Sequence, residues 1–205
     1  MRELLSSVAV VPVIVIDRLE DAVPLARALV AGGLPVLEVT LRTPVAVAAI
    51  AAMVDQVPGA VVGSGTVCSA EQIAQSVAAG CQFMVSPGAT DALLMAAAKA
   101  PIPLLPGIAS ASELMRCQEQ GYREVKFFPA EANGGVKALK AIAGPFADMR
   151  FCPTGGIGPG NVLDYLALDN VLCVGGSWVC PSELVAAQQW DKITELAAAA
   201  AALRS

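Results

Sequence analysis

Short apolar runs alternate with longer amphipathic stretches along the whole chain. Most of the runs are continuous rather than alternating in polarity, which is typical of parallel strands that are buried on both faces. Eight such runs predict eight strands, at residues 10–16, 36–41, 61–66, 83–86, 104–106, 124–128, 150–153 and 171–174.

The stretches between the runs carry the signals of helix ends. Residues 20–24 combine acidic residues with a proline, as in a first helical turn, and a glycine pair at residues 32–33 ends that helix. Ser69 opens a later helix, which Gly80 ends. Each apolar run is therefore followed by a predicted helix.

Strand–helix alternation gives a parallel sheet with right-handed crossovers. Eight units favour a closed barrel over an open doubly wound sheet, so the sequence predicts one (β/α)8 TIM-barrel domain of the α/β class over residues 1–205. Pro12 interrupts the first run and removes a ladder hydrogen bond, so we expect it near the start of that strand. The residues before Val8 leave room for a short helix at most, so we expect the N-terminal end of the barrel to be thinly covered.

Composition and charge exclude several classes of function. The chain is 56% hydrophobic and 15% charged, which favours a large aliphatic core and apolar subunit contacts. Its net charge is −5 and it has no basic run, so we expect neither nucleic acid nor an anionic membrane as a partner. No apolar stretch reaches the ~20 residues of a bilayer span, and no signal peptide is evident, so we expect a cytoplasmic protein.

The cysteines and the absence of histidine limit the kinds of catalytic and metal site that the chain can form. Six scattered cysteines without a Cys-x-x-Cys pair favour free thiols in a reducing cytoplasm over disulfides or a zinc site. Histidine is absent, which removes histidine-dependent triads and the commonest metal ligand. We therefore expect neither a metal nor another cofactor, and a catalyst that works with lysine, carboxylates or hydroxyls.

Polar residues and glycines follow most of the predicted strands, where the loops of a barrel form one shared mouth. They lie at Glu38 and Arg42 for the second strand and, for the third to the eighth, at residues 63–66, 86–88, 106–107, 126–131, 154–156 and 175–177. So many such features on one rim exceed what turn formation requires, and they predict a site for a small-molecule substrate.

Lys126 lies between apolar residues in a strand that should be buried. Burial disfavours the ammonium form and frees the amine as a nucleophile toward carbonyls. The alternative is a structural lysine whose stem crosses apolar surface, or whose charge pairs with Glu124 or Glu38. Because Lys126 belongs to the polar rim, we favour the chemical interpretation.

Glu38, Arg42 and Thr66 each have two interpretations. Glu38 is the best-placed general acid/base in a chain without histidine, or else the partner of a structural ion pair with Lys126 or Arg42. Arg42 either clamps a carboxylate with its guanidinium fork or lies on the surface at a helix start. Thr66 either supplies a hydroxyl donor or caps a helix.

Glycine pairs follow the last two predicted strands, at Gly155-Gly156 and at Gly175-Gly176, the latter followed by Ser177. The loops at these two strand ends commonly bind phosphate in barrels of this type. Tight turns also use glycine, so each pair alone is weak evidence. Two pairs at adjacent strand ends favour phosphate binding.

Eight segments of the chain resemble the class I, Schiff-base aldolases of 2-keto-3-deoxy-6-phosphogluconate (KDPG) and 4-hydroxy-2-oxoglutarate (KHG). The segments are residues 11–14, 37–43, 63–67, 86–88, 106–108, 126–135, 151–157 and 175–178. The resemblance implies a homotrimeric, metal-independent lyase that splits the phosphorylated acid into pyruvate and glyceraldehyde 3-phosphate. Many members of the family also cleave KHG.

The same resemblance implies a role for each matched residue. Lys126 would form the Schiff base, and Glu38 would be the acid/base. The other implied roles are carboxylate binding by Arg42 and Thr66, pocket shaping by Pro87 and Phe128, contact with substrate hydroxyls by Thr154, and phosphate binding by the backbones of Gly155, Gly156, Gly176 and Ser177.

Three alternatives remain at the level of sequence. The first is a sibling aldolase for the galactonate epimer, since one rim residue can decide between two substrates that differ at one stereocentre. The second is an isomerase or synthase that uses the same phosphate loops with Glu38 as base. The third is an assembly module with relic catalytic residues, and the intact set of Lys126, Glu38 and Arg42 argues against it.

Overall fold

The strands of the computed structural model, which describes residues 1–204, pair only in parallel. In chain order they are β1 Val10–Ile14, β2 Val36–Thr40, β3 Val61–Gly65, β4 Phe83–Val85, β5 Leu104–Leu105, β6 Gly107–Ile108, β7 Glu124–Phe127, β8 Arg150–Pro153 and β9 Val174–Gly176. They form a six-stranded sheet in the order β5-β4-β3-β2-β1-β9 and a three-stranded sheet in the order β6-β7-β8. The fold is therefore α/β with parallel sheets, as the continuous apolar runs predict.

Helices separate the strands as the sequence predicts. They are α1 Arg2–Ser6, α2 Ala22–Ala31, α3 Ala46–Gln56, α4 Ala70–Ala78, α5 Asp91–Ala97, α6 Ala111–Glu119, α7 Gly135–Ala143, α8 Val162–Leu166, α9 Ser182–Ala186 and α10 Trp190–Ala201, with 3-10 turns at Leu19–Asp21 and Ala202–Arg204. Ser69 caps α4 by accepting a hydrogen bond from the amide of Gln72. None of these helices has the length and apolarity that a bilayer span requires.

The fifth predicted strand is shorter and divided. Pro106 separates β5 from β6, because proline has no N–H for a ladder. Its carbonyl still accepts a hydrogen bond from the amide of Lys126 at 2.9 Å. Gly107, which the sequence assigned to the following loop, is instead the first residue of β6 and pairs with Lys126.

The eighth predicted strand, at residues 171–174, is displaced toward the C-terminus. The observed β9 includes Gly175 and Gly176, which the sequence placed in a loop after the strand. Both glycines pair with β1, opposite Val11 and Pro12, and neighbouring side chains occupy the space that a Cβ atom would take. A Cβ atom at Gly175 would lie 2.3 Å from Thr154 Oγ1, and one at Gly176 would lie 1.9 Å from the ring of Trp178.

Pro12 lies in the middle of β1, so the expectation that it would lie near the start of the strand is wrong. The first half of β1 pairs with β9, up to Pro12 opposite Gly176, and the pairing with β2 begins at Val13 opposite Glu38. Pro12 thus falls where β1 passes from one neighbour to the other. A missing N–H costs least at such a change of partner.

The core has two parts. The larger lies between the strands and the helices, and includes Ile14, Leu37 and Val62. The smaller lies on the opposite face of the strands and consists of Leu5, Val8, Val11, Val36, Phe83, Val85, Leu105, Cys152 and Cys173. Leu5 comes from the five-residue α1, the short N-terminal helix that the sequence allowed for.

Candidate active site

Lys126 and Glu38 meet within the fold although they belong to different sheets. Lys126 lies in β7 and Glu38 in β2, and Lys126 Nζ donates to Glu38 Oε1 at 3.0 Å. Both side chains are only 4% exposed. The smaller apolar cluster includes Val36, which lies two residues before Glu38 on the same face of β2, so the ion pair follows that cluster toward the C-terminal ends of the strands.

Glycine makes room for the Glu38 carboxylate. Gly65 lies opposite Thr40 in the neighbouring strand β3, and a Cβ atom there would lie 2.4 Å from Glu38 Oε1. Any side chain at Gly65 would therefore displace the carboxylate from Lys126. Gly65, which the sequence places in a polar strand end, thus leaves the space that the Glu38 carboxylate occupies.

Phe128 lies close to Lys126, and Pro87 is connected to the lysine only through Gly107. The Phe128 ring centroid is 5.3 Å from Lys126 Nζ, within the range of a cation–π contact. The backbone of Pro87 packs against Gly107, where a Cβ atom would lie 2.4 Å from the Pro87 carbonyl. Gly107 is in turn the residue opposite Lys126 in the sheet. Of the two predicted pocket residues, Phe128 therefore lies beside the lysine, and Pro87 lies beside Gly107, the strand neighbour of the lysine.

Arg42 and Thr66 form a second polar pair. Arg42 Nε donates to Thr66 Oγ1 at 3.0 Å, and the arginine is exposed. Thr66 has a φ of 61°, which is uncommon for a β-branched residue and marks a constrained turn after β3. Ser69 rather than Thr66 caps α4, so the capping interpretation of Thr66 is wrong.

Thr154 ends the strand region of β8 and is buried, and it forms a parallel bridge with Gly175. Gly155 and Gly156 follow with φ values of 101° and 77°, a region that glycine adopts without strain. The carbonyls of Thr154 and Gly155 accept hydrogen bonds from the amides of Ala130 and Glu131, at 2.8 and 3.1 Å. The glycine turn is therefore connected to the segment that follows Lys126.

Ser177 is exposed at the end of β9 and lines a cavity of about 540 Å³. The same cavity is bordered by Val13 and Val15 from the end of β1 and by Trp178, whose ring covers Gly176. Lys126 and Glu38 do not line it. The structure thus brings Gly176 and Ser177 to a neighbouring part of the rim and not into contact with the ion pair.

Two contacts near the site involve residues to which the sequence analysis assigned no role. The Tyr165 hydroxyl donates to Glu131 Oε1, and Asn161 Nδ2 donates to the carbonyl of Gly156 at 3.1 Å. Glu131 stands within a segment that carries the family resemblance, but only its three-dimensional neighbours indicate what it contacts. In residues 1–204, no cluster of three histidine, cysteine or acidic side chains is arranged to hold a metal ion.

A buried lysine beside a carboxylate, in parallel strands that end in small and polar residues, is an arrangement that suits an amine nucleophile. The chain belongs to the KDPG and KHG aldolase family, whose model matches residues 1–196. It is therefore an aldolase, a member of the lyases. Membership in this family argues against the isomerase or synthase alternative.

Individual relatives agree with this assignment. The KHG/KDPG aldolase of Escherichia coli is 59% identical over 194 residues, which cover 95% of this chain and 91% of the relative. The KDPG aldolase of Legionella pneumophila, solved with pyruvate captured at low pH as a covalent carbinolamine intermediate, superposes with a TM-score of 0.96 at 52% identity, covering 98% of this chain and 97% of that one. The aldolase of Zymomonas mobilis, solved with 3-phosphoglycerate, gives a TM-score of 0.92 at 50% identity, with 98% and 94% covered.

Proposed function

We propose that the protein cleaves 2-keto-3-deoxy-6-phosphogluconate to pyruvate and glyceraldehyde 3-phosphate through a Schiff base on Lys126. The observation that carries the proposal is the 3.0 Å contact between Lys126 Nζ and Glu38 Oε1, with both groups buried. An amine and a carboxylate at this distance exchange a proton directly. The carbinolamine captured in the Legionella relative supports the same chemistry.

The first half of the reaction makes the Schiff base. Glu38 takes a proton from the Lys126 ammonium, and the free amine attacks the C2 carbonyl of the substrate to give a carbinolamine. Glu38 then returns the proton to the departing hydroxyl, which leaves as water, and a C=N⁺ iminium remains on Lys126. One group serves as base and then as acid, which suits a chain without histidine.

The second half breaks the carbon–carbon bond. Glu38 removes the proton from the C4 hydroxyl, the C3–C4 bond breaks, and its electron pair moves into the iminium to form an enamine. Glyceraldehyde 3-phosphate leaves with the new aldehyde at C4. Glu38 then donates the proton to C3 of the enamine, and water hydrolyses the pyruvate iminium to release pyruvate and return Lys126 to its ammonium form.

Arg42 and Thr66 are proposed to hold the carboxylate of the substrate. Their contact at 3.0 Å joins a guanidinium fork to a hydroxyl, and the guanidinium has further N–H groups to offer a carboxylate. Phe128, whose ring centroid is 5.3 Å from Lys126 Nζ, and Pro87 are proposed to flank the reacting carbons. Apolar walls there exclude water from the enamine.

Thr154 is proposed to contact the substrate hydroxyls, and the backbones of Gly155, Gly156, Gly176 and Ser177 to bind the phosphate. The left-handed turn at Gly155-Gly156 and the exposed Ser177 beside the cavity support this placement. KHG has the same 2-oxo-4-hydroxy acid end as KDPG, with a carboxylate and no phosphate at its other end. We therefore propose that it is a second substrate of the same lysine.

We further propose that the two sheets close into one (β/α)8 barrel. The carbonyl of Pro106 accepts a hydrogen bond from the amide of Lys126, which links β5 and β6 to β7. On the other side, the bridge between Thr154 and Gly175 links β8 to β9, which pairs with β1. The contact between Lys126 and Glu38 crosses the space that such a barrel encloses.

A homotrimer in the cytoplasm is the proposed working form. Large apolar side chains are exposed at Val15, Leu19, Val54, Met95, Met115 and Leu163, which supports apolar contacts between subunits. None of the six cysteines, all within residues 1–204, forms a disulfide, and burial raises the pKa of Cys81 to about 11, which keeps it a thiol. Sedimentation velocity should give three times the mass of one chain, and a monomer would contradict the trimer.

Covalent trapping tests the mechanism. Incubation with pyruvate and borohydride should add one reduced pyruvyl group per chain, and peptide mapping should place it on Lys126. Lys137 and Lys140 in α7 are exposed lysines that serve as internal controls and should remain unmodified. Modification of either in place of Lys126 would contradict the assignment.

Pyruvate release tests the substrate and the absence of a metal. A lactate-dehydrogenase-coupled assay should detect pyruvate from KDPG and, separately, from KHG. Turnover should be the same after treatment with EDTA, because the proposed electron sink is an iminium. Loss of turnover on chelation, restored by a divalent cation, would exclude this mechanism.

A further inference from the structure

Glu131 and Tyr165 have no role in the reaction described above, yet their side chains meet beside the Gly155-Gly156 turn. We propose that Glu131, anchored by the Tyr165 hydroxyl, is a positioning residue that fixes this turn in the shape that receives the substrate phosphate. The inference rests on the proposed function, in which the turn binds that phosphate. A turn held in this shape should favour binding of substrates that carry a phosphate over those that do not.

Backbone hydrogen bonds connect the segment after Lys126 to the glycine turn. The amide of Ala130 donates to the carbonyl of Thr154 at 2.8 Å, and the amide of Glu131 donates to the carbonyl of Gly155 at 3.1 Å. Two successive hydrogen bonds thus align the segment after Lys126 with the turn. A movement of Glu131 along this segment carries the turn with it.

The stem of the Glu131 side chain packs against the turn. A Cβ atom at Gly156 would lie 2.7 Å from both Cβ and Cγ of Glu131, so the stem lies directly against the glycine. Gly156 itself has a φ of 77° and is free to adopt other conformations, because glycine has no Cβ to restrict it. The stem of Glu131 therefore blocks one side of a turn that its own sequence leaves flexible.

Tyr165 anchors the far end of the Glu131 side chain. Tyr165 lies in α8 with 0% exposure, and its hydroxyl donates to Glu131 Oε1. Burial raises the pKa of Tyr165, and the hydrogen bond and charge of Glu131 raise that pKa further, so the hydroxyl stays protonated as a donor. A Cβ atom at Gly135 would lie 2.9 Å from Glu131 Oε1 and 3.0 Å from the Tyr165 oxygen, so α7 begins with a residue that leaves space for the contact.

Asn161 also holds the turn, through its own loop. Its Nδ2 donates to the carbonyl of Gly156 at 3.1 Å, and its Oδ1 accepts from the amide of Gly158 at 2.8 Å. The turn is thus held both by Asn161 of its own loop and by Glu131. Positioned groups lose much of their effect when they shift by about 1 Å, which is why the anchor should matter for binding.

Substrate comparison tests the inference. Tyr165→Phe removes the anchoring hydroxyl and keeps the buried ring, and Glu131→Ala removes the stem. Each should raise KM for KDPG by about 10-fold or more, while kcat for KDPG and both constants for KHG stay within about 2-fold. Glu131→Gln keeps the stem and an oxygen for Tyr165 to donate to, so it should behave nearly as the unchanged enzyme.

A matched control and a binding measurement complete the test. Glu119→Ala removes an exposed glutamate at the end of α6 and should change no constant. Titration with 3-phosphoglycerate should show a Kd about 5-fold to 10-fold higher for Tyr165→Phe, whether or not either substrate is cleaved. An unchanged Kd, or equal losses with KDPG and KHG, would overturn the positioning role. Absence of pyruvate release from both substrates in the unchanged enzyme would instead overturn the proposed function.

Discussion

Asp21 and Glu38 are both only 3% exposed, and both pair with a basic side chain, but the two pairs are built differently. Asp21 accepts hydrogen bonds from Arg18 Nε at 2.8 Å, from Arg18 Nη2 at 2.9 Å and from Gln188 Nε2 at 3.0 Å. Within residues 1–204, Glu38 accepts a single side-chain hydrogen bond, from Lys126 at 3.0 Å. One carboxylate is fully engaged and the other is not.

The two pairs also differ in the basic side chain, which is an arginine for Asp21 and a lysine for Glu38. Arginine does not lose its proton in proteins, so Asp21 has no proton to exchange with Arg18. Lysine does lose its proton when it serves as a nucleophile, and Glu38 is positioned to receive it. Asp21 also connects the turn Leu19–Asp21 to Gln188 in the link between α9 and α10, which is a structural task. Burial of a charge pair is therefore insufficient to indicate catalysis, and the proposed mechanism depends on the unfilled hydrogen-bonding capacity of Glu38 and on the removable proton of Lys126.

Lys126→Met gives the largest expected effect. It removes the amine and keeps an unbranched apolar stem, so turnover with KDPG and KHG should fall by about 10⁴-fold or more, and borohydride trapping should be lost. The variant also leaves Glu38 buried without its partner, which costs roughly 3–5 kcal/mol of unfolding free energy. The coupled assay and a thermal melt measure the two effects separately.

A double variant sharpens this prediction. Lys126→Met combined with Glu38→Leu replaces the whole pair by apolar side chains, a change that is often neutral or stabilising. Its melting temperature should recover toward that of the unchanged protein, while activity stays absent. A double variant as unstable as Lys126→Met would show that the pair supports the fold in a way the structure does not explain.

Glu38→Gln is expected to have the second-largest effect. The amide keeps the shape and removes the titrating group, so kcat should fall by about 10²–10⁴-fold while the protein remains folded. Near-normal kcat together with a sharply lower melting temperature would place Glu38 in the same structural class as Asp21. The measurement is kcat at saturating KDPG beside a thermal melt.

Much of the fold could be predicted because periodicity records burial. Continuous apolar runs gave the strands, and Ser69 and Gly80 gave the ends of α4. The predicted strand bounds are wrong where contacts between distant segments, and not the local polarity of the sequence, decide the structure. Gly175 and Gly176 resemble a loop in sequence, but they extend β9 because they pair with β1, and Thr154 and Trp178 leave no space there for a side chain. The pairing partners of Pro12 likewise depend on β9, which is far away in the chain.

The site could be predicted in part for a similar reason. Lys126 and Glu38 stand out as charges in apolar strands, and their contact follows from parallel strands of one α/β fold. Asp21 gave no such signal, because an acidic residue before a helix is common, and its partner Gln188 lies 167 positions away. Glu131 was visible within a matched segment, but its contacts with Gly156 and Tyr165 depend on geometry that no local pattern records.

Asp21→Asn is expected to change stability and not chemistry. The amide cannot accept all the hydrogen bonds of Arg18 and Gln188, and leaving buried donors and acceptors unsatisfied costs about 1–3 kcal/mol. For a chain of this length, each kcal/mol lowers the melting temperature by about 2–4 °C. Turnover of KDPG by the folded variant should stay within about 2-fold of that of the unchanged enzyme, as judged by kcat at a temperature well below the melt. A large loss of kcat in the folded variant would contradict the structural assignment of Asp21.

The pH dependence of that stability gives the smallest and most specific test. Burial by itself would raise the pKa of Asp21, but the hydrogen bonds from Arg18 and Gln188 and the charge of Arg18 hold it below its usual value of 3.8. A carboxyl group whose pKa is lowered by folding stabilises the protein above its unfolded pKa, and that contribution is lost as the pH falls through the folded pKa. The difference in melting temperature between the unchanged protein and Asp21→Asn should therefore be constant above about pH 5 and shrink below about pH 4. Burial by itself would raise the pKa of Glu113, but the hydrogen bonds that it accepts from Ala109 and Ser110 lower it. Glu113 is present in both proteins, so its contribution cancels in the difference. A difference that persists undiminished in acid would mean that Asp21 stabilises the protein through its shape, so that its charge, unlike that of Glu38, would be dispensable.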